Sequence, residues 1–262
     1  MVCCDLDGVV WRGDTPIADA VRGIEELRRA GVRVGFVTNN SSQPIEEVAA
    51  KLARMGVASS TDDVLSSALA AANLLAHSLD SGARVLACAG PGVVQALGAV
   101  GLTPVDAPPA AAVVVGFHRS FDFEELDRAS SAVRAGARFV ATNLDATYPV
   151  PGGFLPGSGA IAAAVATASG RQPEVAGKPE PPMVELVRER FGDEGIVVGD
   201  RPSSDGALAN ALGWPFALVL SGVTAEVAPP GGEPVPVPRP PFVGDDLGAL
   251  VPSLLAALAR HA

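Results

Sequence analysis

Asp5 and Asp7 stand two residues apart at the end of the apolar run Val2-Cys3-Cys4. On an extended strand such side chains point the same way, so two carboxylates are expected at one spot. Like charges that close are unfavourable unless a cation or a shared proton relieves them. Residues of complementary chemistry occur further along, each near the end of another apolar run. Thr38 closes Phe36-Val37 and opens the polar stretch Asn39-Asn40-Ser41-Ser42, where side chains and backbone amides can donate hydrogen bonds to a phosphate. Lys178, held between Gly177 and Pro179, is a point charge suited to phosphoryl oxygens or a carboxylate. Asp200 ends Ile196-Val197-Val198-Gly199, and Asp205 follows at a helix start. Carboxylates of this kind hold Mg²⁺. Each piece has a plain structural alternative: an acidic turn, a helix cap at Asn40, Ser41, Ser42 or Asp205, a solvated lysine. Their joint occurrence at strand ends has none.

To gather these residues, several strands must end at one edge. Apolar runs at 2–6, 32–37, 84–89, 111–115, 138–141, 196–198 and 217–220 are expected as strands. Helical patterns lie at 17–30, 45–55, 62–77, 93–100, 123–135, 159–169, 183–191, 205–212 and 247–260. This alternation predicts an α/β fold built on a parallel sheet, whose ligands bind at the carboxyl ends of strands. Residues 79–172 form strand–helix units without acidic strand ends, and are expected as an inserted second α/β domain. Residues 1–78 and 173–262 would then make the core; a single continuous sheet is the alternative. The proline- and glycine-rich segment 227–241 is expected as a loop with extended stretches.

Composition narrows the function. Hydrophobic residues make up 48% and charged residues 18%, which suits a folded globular chain. A net charge of −10 opposes binding to a nucleic-acid backbone, yet leaves room for small phosphate esters beside a metal. Cys3, Cys4 and Cys88 lie in apolar runs, and neighbours such as Cys3 and Cys4 face opposite ways on a strand. Free buried thiols are therefore expected, as in a cytoplasmic protein. The chain enters its first strand at once, so no leader peptide is expected, and no apolar run is long enough to span a bilayer.

The motifs taken together, DLDGVVWRG, FVTNNSS, ATNLDATYPVPGGFLPGSGAI, AGKPEPPM and GDRPSSD…LVLSGVT, resemble the class IIA subfamily of the haloacid dehalogenase superfamily. This resemblance implies a Rossmann-like core with an inserted cap, and a Mg²⁺-dependent phosphatase acting on small phosphate monoesters. Asp5 would be the nucleophile and form an aspartyl phosphate. Asp7 would act as general acid and then general base. A free aspartate titrates near pH ~3.9, so the neighbouring Asp5 carboxylate would have to favour its protonated form. Thr38, Asn39 and Lys178 would bind the phosphoryl oxygens. Mg²⁺ would be held by Asp5, the backbone carbonyl of Asp7, and Asp200, with Asp205 positioning ligands from one layer further out. Asn143 and Asp145 match a cap signature and would face substrate or hold the substrate loop; a turn organised by Asp145 is the structural alternative. Relatives often dimerise through the cap, so a homodimer is expected from the resemblance.

Three positions depart from the family pattern. Ser203 replaces a usual aspartate, which would weaken hydrogen bonding around the metal loop. His118 stands at a position that is often acidic and reads as an exposed cap histidine. Gly153 replaces a larger polar residue. Two glycine clusters, Gly90-Pro91-Gly92 and Pro156-Gly157-Ser158-Gly159, superficially look like phosphate loops. The first lacks the third glycine of a dinucleotide loop and the second lacks a clear preceding strand, so both are read as turns. Two rival functions remain: a phosphotransferase or phosphomutase of the same superfamily, and an inactive metabolite-binding relative.

Overall fold

Val2–Cys4 is short and wholly buried, and it sits inside a six-stranded sheet. A computed structural model describes residues 1–150, 153–225, 232–236 and 238–260. Strand order in this sheet is Phe242–Gly244, Phe216–Val219, Ile196–Gly199, Val2–Cys4, Val34–Thr38, Val64–Ser66. Val2–Cys4 pairs in parallel with Val34–Thr38 on one side and Ile196–Gly199 on the other. Ile196–Gly199 pairs in parallel with Phe216–Val219, which pairs likewise with Phe242–Gly244. The early strands therefore build outward in one direction and the late strands in the other. Val2–Cys4 lies at the reversal, the place where open parallel sheets bind ligands.

The chain forms two compact units. The first comprises Met1–Thr38, Val48–Leu65 and Val184–Ala262. Its helix Ala18–Arg29 buries Ala20, Gly23, Ile24 and Leu27, a stripe at the spacing of one helix face. Asp19 in the first turn and Arg28 and Arg29 in the last suit the helix dipole, and Gly31 with φ +80° turns the chain out. This helix packs against Leu247–Leu258 through Gly23 and Gly248, where an added Cβ at either would meet backbone of the other helix.

The second unit comprises Asn39–Glu47 and Ser66–Met183. It includes the expected insertion 79–172 and takes in flanking segments, among them the helix Ser67–Ala76, which packs on Pro91–Ala99. Its five strands are parallel, in the order Glu174–Val175, Arg138–Ala141, Ala112–Val115, Arg84–Cys88, Thr103–Val105. Helices Phe123–Arg134 and Ser158–Ser169 pack together, and their Ala129, Val133, Ile161 and Val165 join Leu86, Val113 and Phe139 in one core.

Two expectations change. The stretch 62–77 is not one helix: Val64–Ser66 pairs at the sheet edge before Ser67–Ala76 begins, with the Ser66 hydroxyl accepting from the Leu69 amide. A short buried strand running into a helix shows no break in apolar pattern. A strand, Gly153–Pro156, does precede the Pro156–Gly159 cluster, in a hairpin with Thr147–Val150. Both glycine clusters start helices at close backbone contacts: Gly90 and Gly92 lie against Ser42 and Gln43, Gly157 and Gly159 against Asp145 and Leu144. Of the segment 227–241, residues 227–231 and 237 lie outside the described residues; Glu233–Pro234 pairs in parallel with Thr224–Ala225. All three cysteines are free and buried.

Gly35, within its strand, faces Phe191, and an added Cβ would lie 2.5 Å from the ring. Gly35→Ala is expected to cost about 1–3 kcal/mol by overpacking, read as a lowered thermal midpoint. An unchanged midpoint would contradict that close approach.

Candidate active site

Three residues occupy the carboxyl edge of three adjacent strands in the first unit. Asp5 follows Cys4, Thr38 ends Val34–Thr38, and Asp200 follows Gly199. The Asp5 amide donates to the Val198 carbonyl at 2.9 Å, which carries the pairing one residue past the strand. Beyond Asp5 the chain turns sharply. The Leu6 carbonyl accepts from the amides of Val9, Val10 and Trp11, and Gly8 takes φ +83°.

That turn changes the reading of Asp7. Extended strand geometry stops at Cys4, so alternation along a strand does not orient the Asp7 side chain. The Trp11 indole does: its Nε1 donates to Asp7 Oδ1 at 2.9 Å. Trp11 is buried, with the Lys51 ammonium 4.4 Å from its ring centroid, and Lys51 donates to the Gly13 carbonyl. Neither Trp11 nor Lys51 was singled out from sequence. The only signal was Trp11 at the end of the first motif.

The carboxylates that converge are those of Asp5, Asp200 and Asp205, each offering an oxygen within 4.8 Å of the others. Asp200 and Asp205 are 4% and 1% exposed. Asp200 Oδ2 accepts from the Val223 amide at 2.7 Å. Gly8 and Gly222 press on Asp200, and a Cβ at Gly222 would fall inside its carboxylate. Asp205 stands on the turn Pro202–Gly206, accepts from the Arg201 amide at 3.1 Å, and packs on Gly199, where a Cβ would also collide with it. It was expected one layer behind the metal, and its carboxylate lies within this same span. Three carboxylates this close, two of them out of water, are favoured by a bound cation. Their all-oxygen donor set fits a hard ion such as Mg²⁺.

Ser203 also differs from its expectation. Its amide donates to Glu233 at 3.0 Å and its hydroxyl reaches the same carboxylate, while Arg201 lies 3.8 Å from Glu233. An aspartate at 203 would face Glu233 with like charge, so serine strengthens this loop rather than weakening it.

Lys178, Asn39, Asn143 and Asp145 are carried by the second unit, although Lys178 was expected within the core segment 173–262. Lys178 is 6% exposed and sits in the turn after Glu174–Val175. The Asn39 carboxamide grips the lysine's backbone: Oδ1 accepts from the Lys178 amide at 2.8 Å, and Nδ2 donates to the Lys178 carbonyl at 3.2 Å. Nδ2 also reaches Asp145 Oδ2 at 3.3 Å. Asn143 and Ser67 both donate to the Asn39 carbonyl at 2.7 Å, and the Asp145 amide donates to Asn143 Oδ1. Asn39, expected at the phosphate, and Asn143, expected to face substrate or hold the substrate loop, both place their side chains in this clamp. Gly177 makes it possible, since a Cβ there would collide with the Thr142 carbonyl and Asn39. His118 is not exposed: its side chain is 7% accessible and contacts Glu125.

The chain is similar to known proteins in sequence and in fold. Residues 2–103 match the haloacid dehalogenase-like hydrolase family, and residues 175–250 match a second model of haloacid dehalogenase-like hydrolases. The chain is 43% identical over 251 residues to the D-glycerol 3-phosphate phosphatase of Mycobacterium tuberculosis, covering 94% of this chain and 69% of that protein. It is 37% identical to chronophin of Mus musculus, covering 86% of this chain and 82% of that one. The crystal structure of the mycobacterial glycerol phosphate phosphatase in complex with magnesium superposes with a TM-score of 0.85 at 40% identity, over 95% of this chain and 76% of that one. The p-nitrophenyl phosphatase from Archaeoglobus fulgidus gives 0.86 at 30% identity, over 97% and 98%.

Gly222→Ala would drive a methyl group into Asp200. Mg²⁺ affinity, measured by calorimetry on folded protein, is expected to fall about 10–100-fold, as when support of a metal ligand is lost. Unchanged affinity would remove Asp200 from the metal site.

Proposed function

The chain belongs to the haloacid dehalogenase-like hydrolases, and from that premise we propose that it is a Mg²⁺-dependent phosphatase of small phosphate monoesters. The observation that carries the reading is the convergence of Asp5, Asp200 and Asp205 at the reversal point of the first sheet. A phosphate ester is the substrate class that needs both a metal on its oxygens and a nucleophile aimed at its phosphorus.

Asp5 attacks phosphorus, forming an Asp5–phosphate bond as the ester oxygen leaves. Asp7 gives its proton to the departing alkoxide, then takes one from the water that hydrolyses the acyl phosphate. The Trp11 indole fixes where the Asp7 carboxyl group sits. Mg²⁺ would be held by Asp5, Asp200 and Asp205 with the Asp7 backbone carbonyl, and supplies positive charge to the phosphoryl oxygens. Thr38 and Lys178 are assigned to those oxygens from their motif positions, and Asn39 and Asn143 to holding the Lys178 turn. Asp145, bound to Asn39, belongs to the same support.

Residues 79–172 are assigned as the cap that selects the leaving group. Glycerol phosphates and sugar phosphates are the first substrates to try, because the similar enzymes named for them cover most of this chain. A homodimer formed through the second unit is proposed from the resemblance alone. Among the described residues no helix is long and apolar enough to cross a membrane, and the buried free thiols favour a cytoplasmic location.

With Mg²⁺, the purified chain is expected to release phosphate from p-nitrophenyl phosphate and from glycerol 3-phosphate. Asp5→Asn should lose at least about 10³-fold in kcat, and Lys178→Ala about 10²–10³-fold. Substantial turnover by Asp5→Asn, or with metal fully chelated, would overturn the mechanism.

A further inference from the structure

The second unit holds a second cluster of potential ligands, of different chemistry. Cys88 ends the strand Arg84–Cys88, and His118 follows the adjacent strand Ala112–Val115 by three residues. Glu125 lies in the first turn of Phe123–Arg134, its amide capped by Asp122. One donor atom from each lies within 4.8 Å of the others. Cys88 is fully buried, and the side chains of His118 and Glu125 are 7% and 17% exposed.

The hydrogen bonds around His118 do not close without something more. Its Nδ1 lies 3.1 Å from the Gly116 carbonyl, and its Nε2 lies 2.8 Å from Glu125 Oε2. Both partners are acceptors, and a neutral imidazole carries one N–H. If Nδ1 donates to Gly116, the Nε2 lone pair faces a carboxylate oxygen. A second proton or a cation must sit in that contact. Nδ1–H given to a backbone carbonyl is also the way ligating histidines are held so that Nε2 faces the metal. Glu125 already accepts from the Cys88 thiol, whose titration is pushed up first by burial and then by Glu125, with Arg128 opposing and Asp122 adding to the rise.

We propose that Cys88, His118 and Glu125 bind a Zn²⁺ ion. Thiolate, imidazole and carboxylate together suit Zn²⁺ and its spectroscopic substitute Co²⁺, and discriminate against Mg²⁺. With Zn–S near ~2.3 Å and Zn–N near ~2.1 Å, tetrahedral donors sit about 3.3–3.7 Å apart, within small movements of the present spacing. On binding, the S–H bond breaks, sulfur bonds to zinc, and one proton leaves to solvent. Three protein donors leave the fourth position to water. The ion would tie two neighbouring strand ends, Cys88 and Val115 being register partners, to the start of the helix that covers them. The site is separate from the Asp5, Asp200 and Asp205 cluster and rests on none of the phosphatase argument.

The test titrates metal-free, reduced, full-length protein with Zn²⁺ and Co²⁺ in excess Mg²⁺, which occupies the carboxylate cluster. One Co²⁺ per chain should bind with thiolate-to-cobalt charge-transfer absorption, displaced by Zn²⁺. Cys88→Ser should abolish the band. His118→Gln and Glu125→Gln leave the core thiol in place, and each should weaken Zn²⁺ binding at least about tenfold. Zn²⁺ should raise the thermal midpoint of the wild-type chain more than that of either variant. Absence of the band, its persistence in Cys88→Ser, or unchanged Zn²⁺ affinity in both His118→Gln and Glu125→Gln would each overturn the site.

Discussion

Asp5, Asp200 and Asp205 repel one another at the edge of the first sheet, and the local backbone is arranged around that repulsion. Asp5 is held by the Val198 carbonyl, Asp200 by the Val223 amide and Asp205 by the Arg201 amide. These amide donors fix the orientation of the Asp200 and Asp205 carboxylates. Gly8, Gly199 and Gly222 leave room for the carboxylates where any side chain would displace them. A divalent ion bound by the three acids would offset part of the free energy of bringing them together. Binding and the local fold are therefore coupled.

In the second unit the same architectural logic serves a cation. Strand ends of a parallel sheet carry Asn143 and Lys178, and one asparagine binds the lysine's own peptide groups on both sides. Anchoring the backbone fixes where the lysine side chain starts. A long lysine side chain loses much rotamer freedom when it is held for work. Clamping its first atoms lowers that cost. The Asn39–Asn143–Asp145 network does this with bonds of 2.7–3.3 Å among neutral amides and one carboxylate.

The central strands were legible, because parallel strands buried on both faces read as continuous apolar runs, as in Ile196–Gly199 and Ala112–Val115, whereas short edge strands such as Thr103–Val105 and Phe242–Gly244 were not. What the sequence could not show was where extended geometry stops. Val2–Cys4 and the turn after it share one apolar, β-branched run broken only by two acids and a glycine, so Asp7 was oriented by the wrong rule. One of its partners, Trp11, lies across a turn that pattern alone does not reveal. Chemical type was easier to read than role. Asn39 and Asn143 were recognised as polar groups at a site, but whether a carboxamide faces ligand or peptide is decided by neighbours from distant segments. The Val64–Ser66 strand was lost for a related reason, since three buried residues ahead of an alanine-rich helix carry no period of their own.

The two ligand clusters differ in what made one readable and the other hidden. Asp5 and Asp200 each end an apolar strand, so local pattern marks them even though 195 positions separate them in the chain. Cys88 looks like any core residue, His118 falls in a loop, and Glu125 looks like a helix-cap residue. Each has an ordinary explanation at its own position. Only the pairing of strands Arg84–Cys88 and Ala112–Val115, with Phe123–Arg134 laid over them, makes one place of the three. Their donor atoms also sort the ions that could occupy the two places. An all-carboxylate set selects hard cations that keep part of their water, whereas a buried thiolate with imidazole selects borderline ones. The two donor sets therefore differ in the ion each would favour, because ligand type as well as affinity sets selectivity.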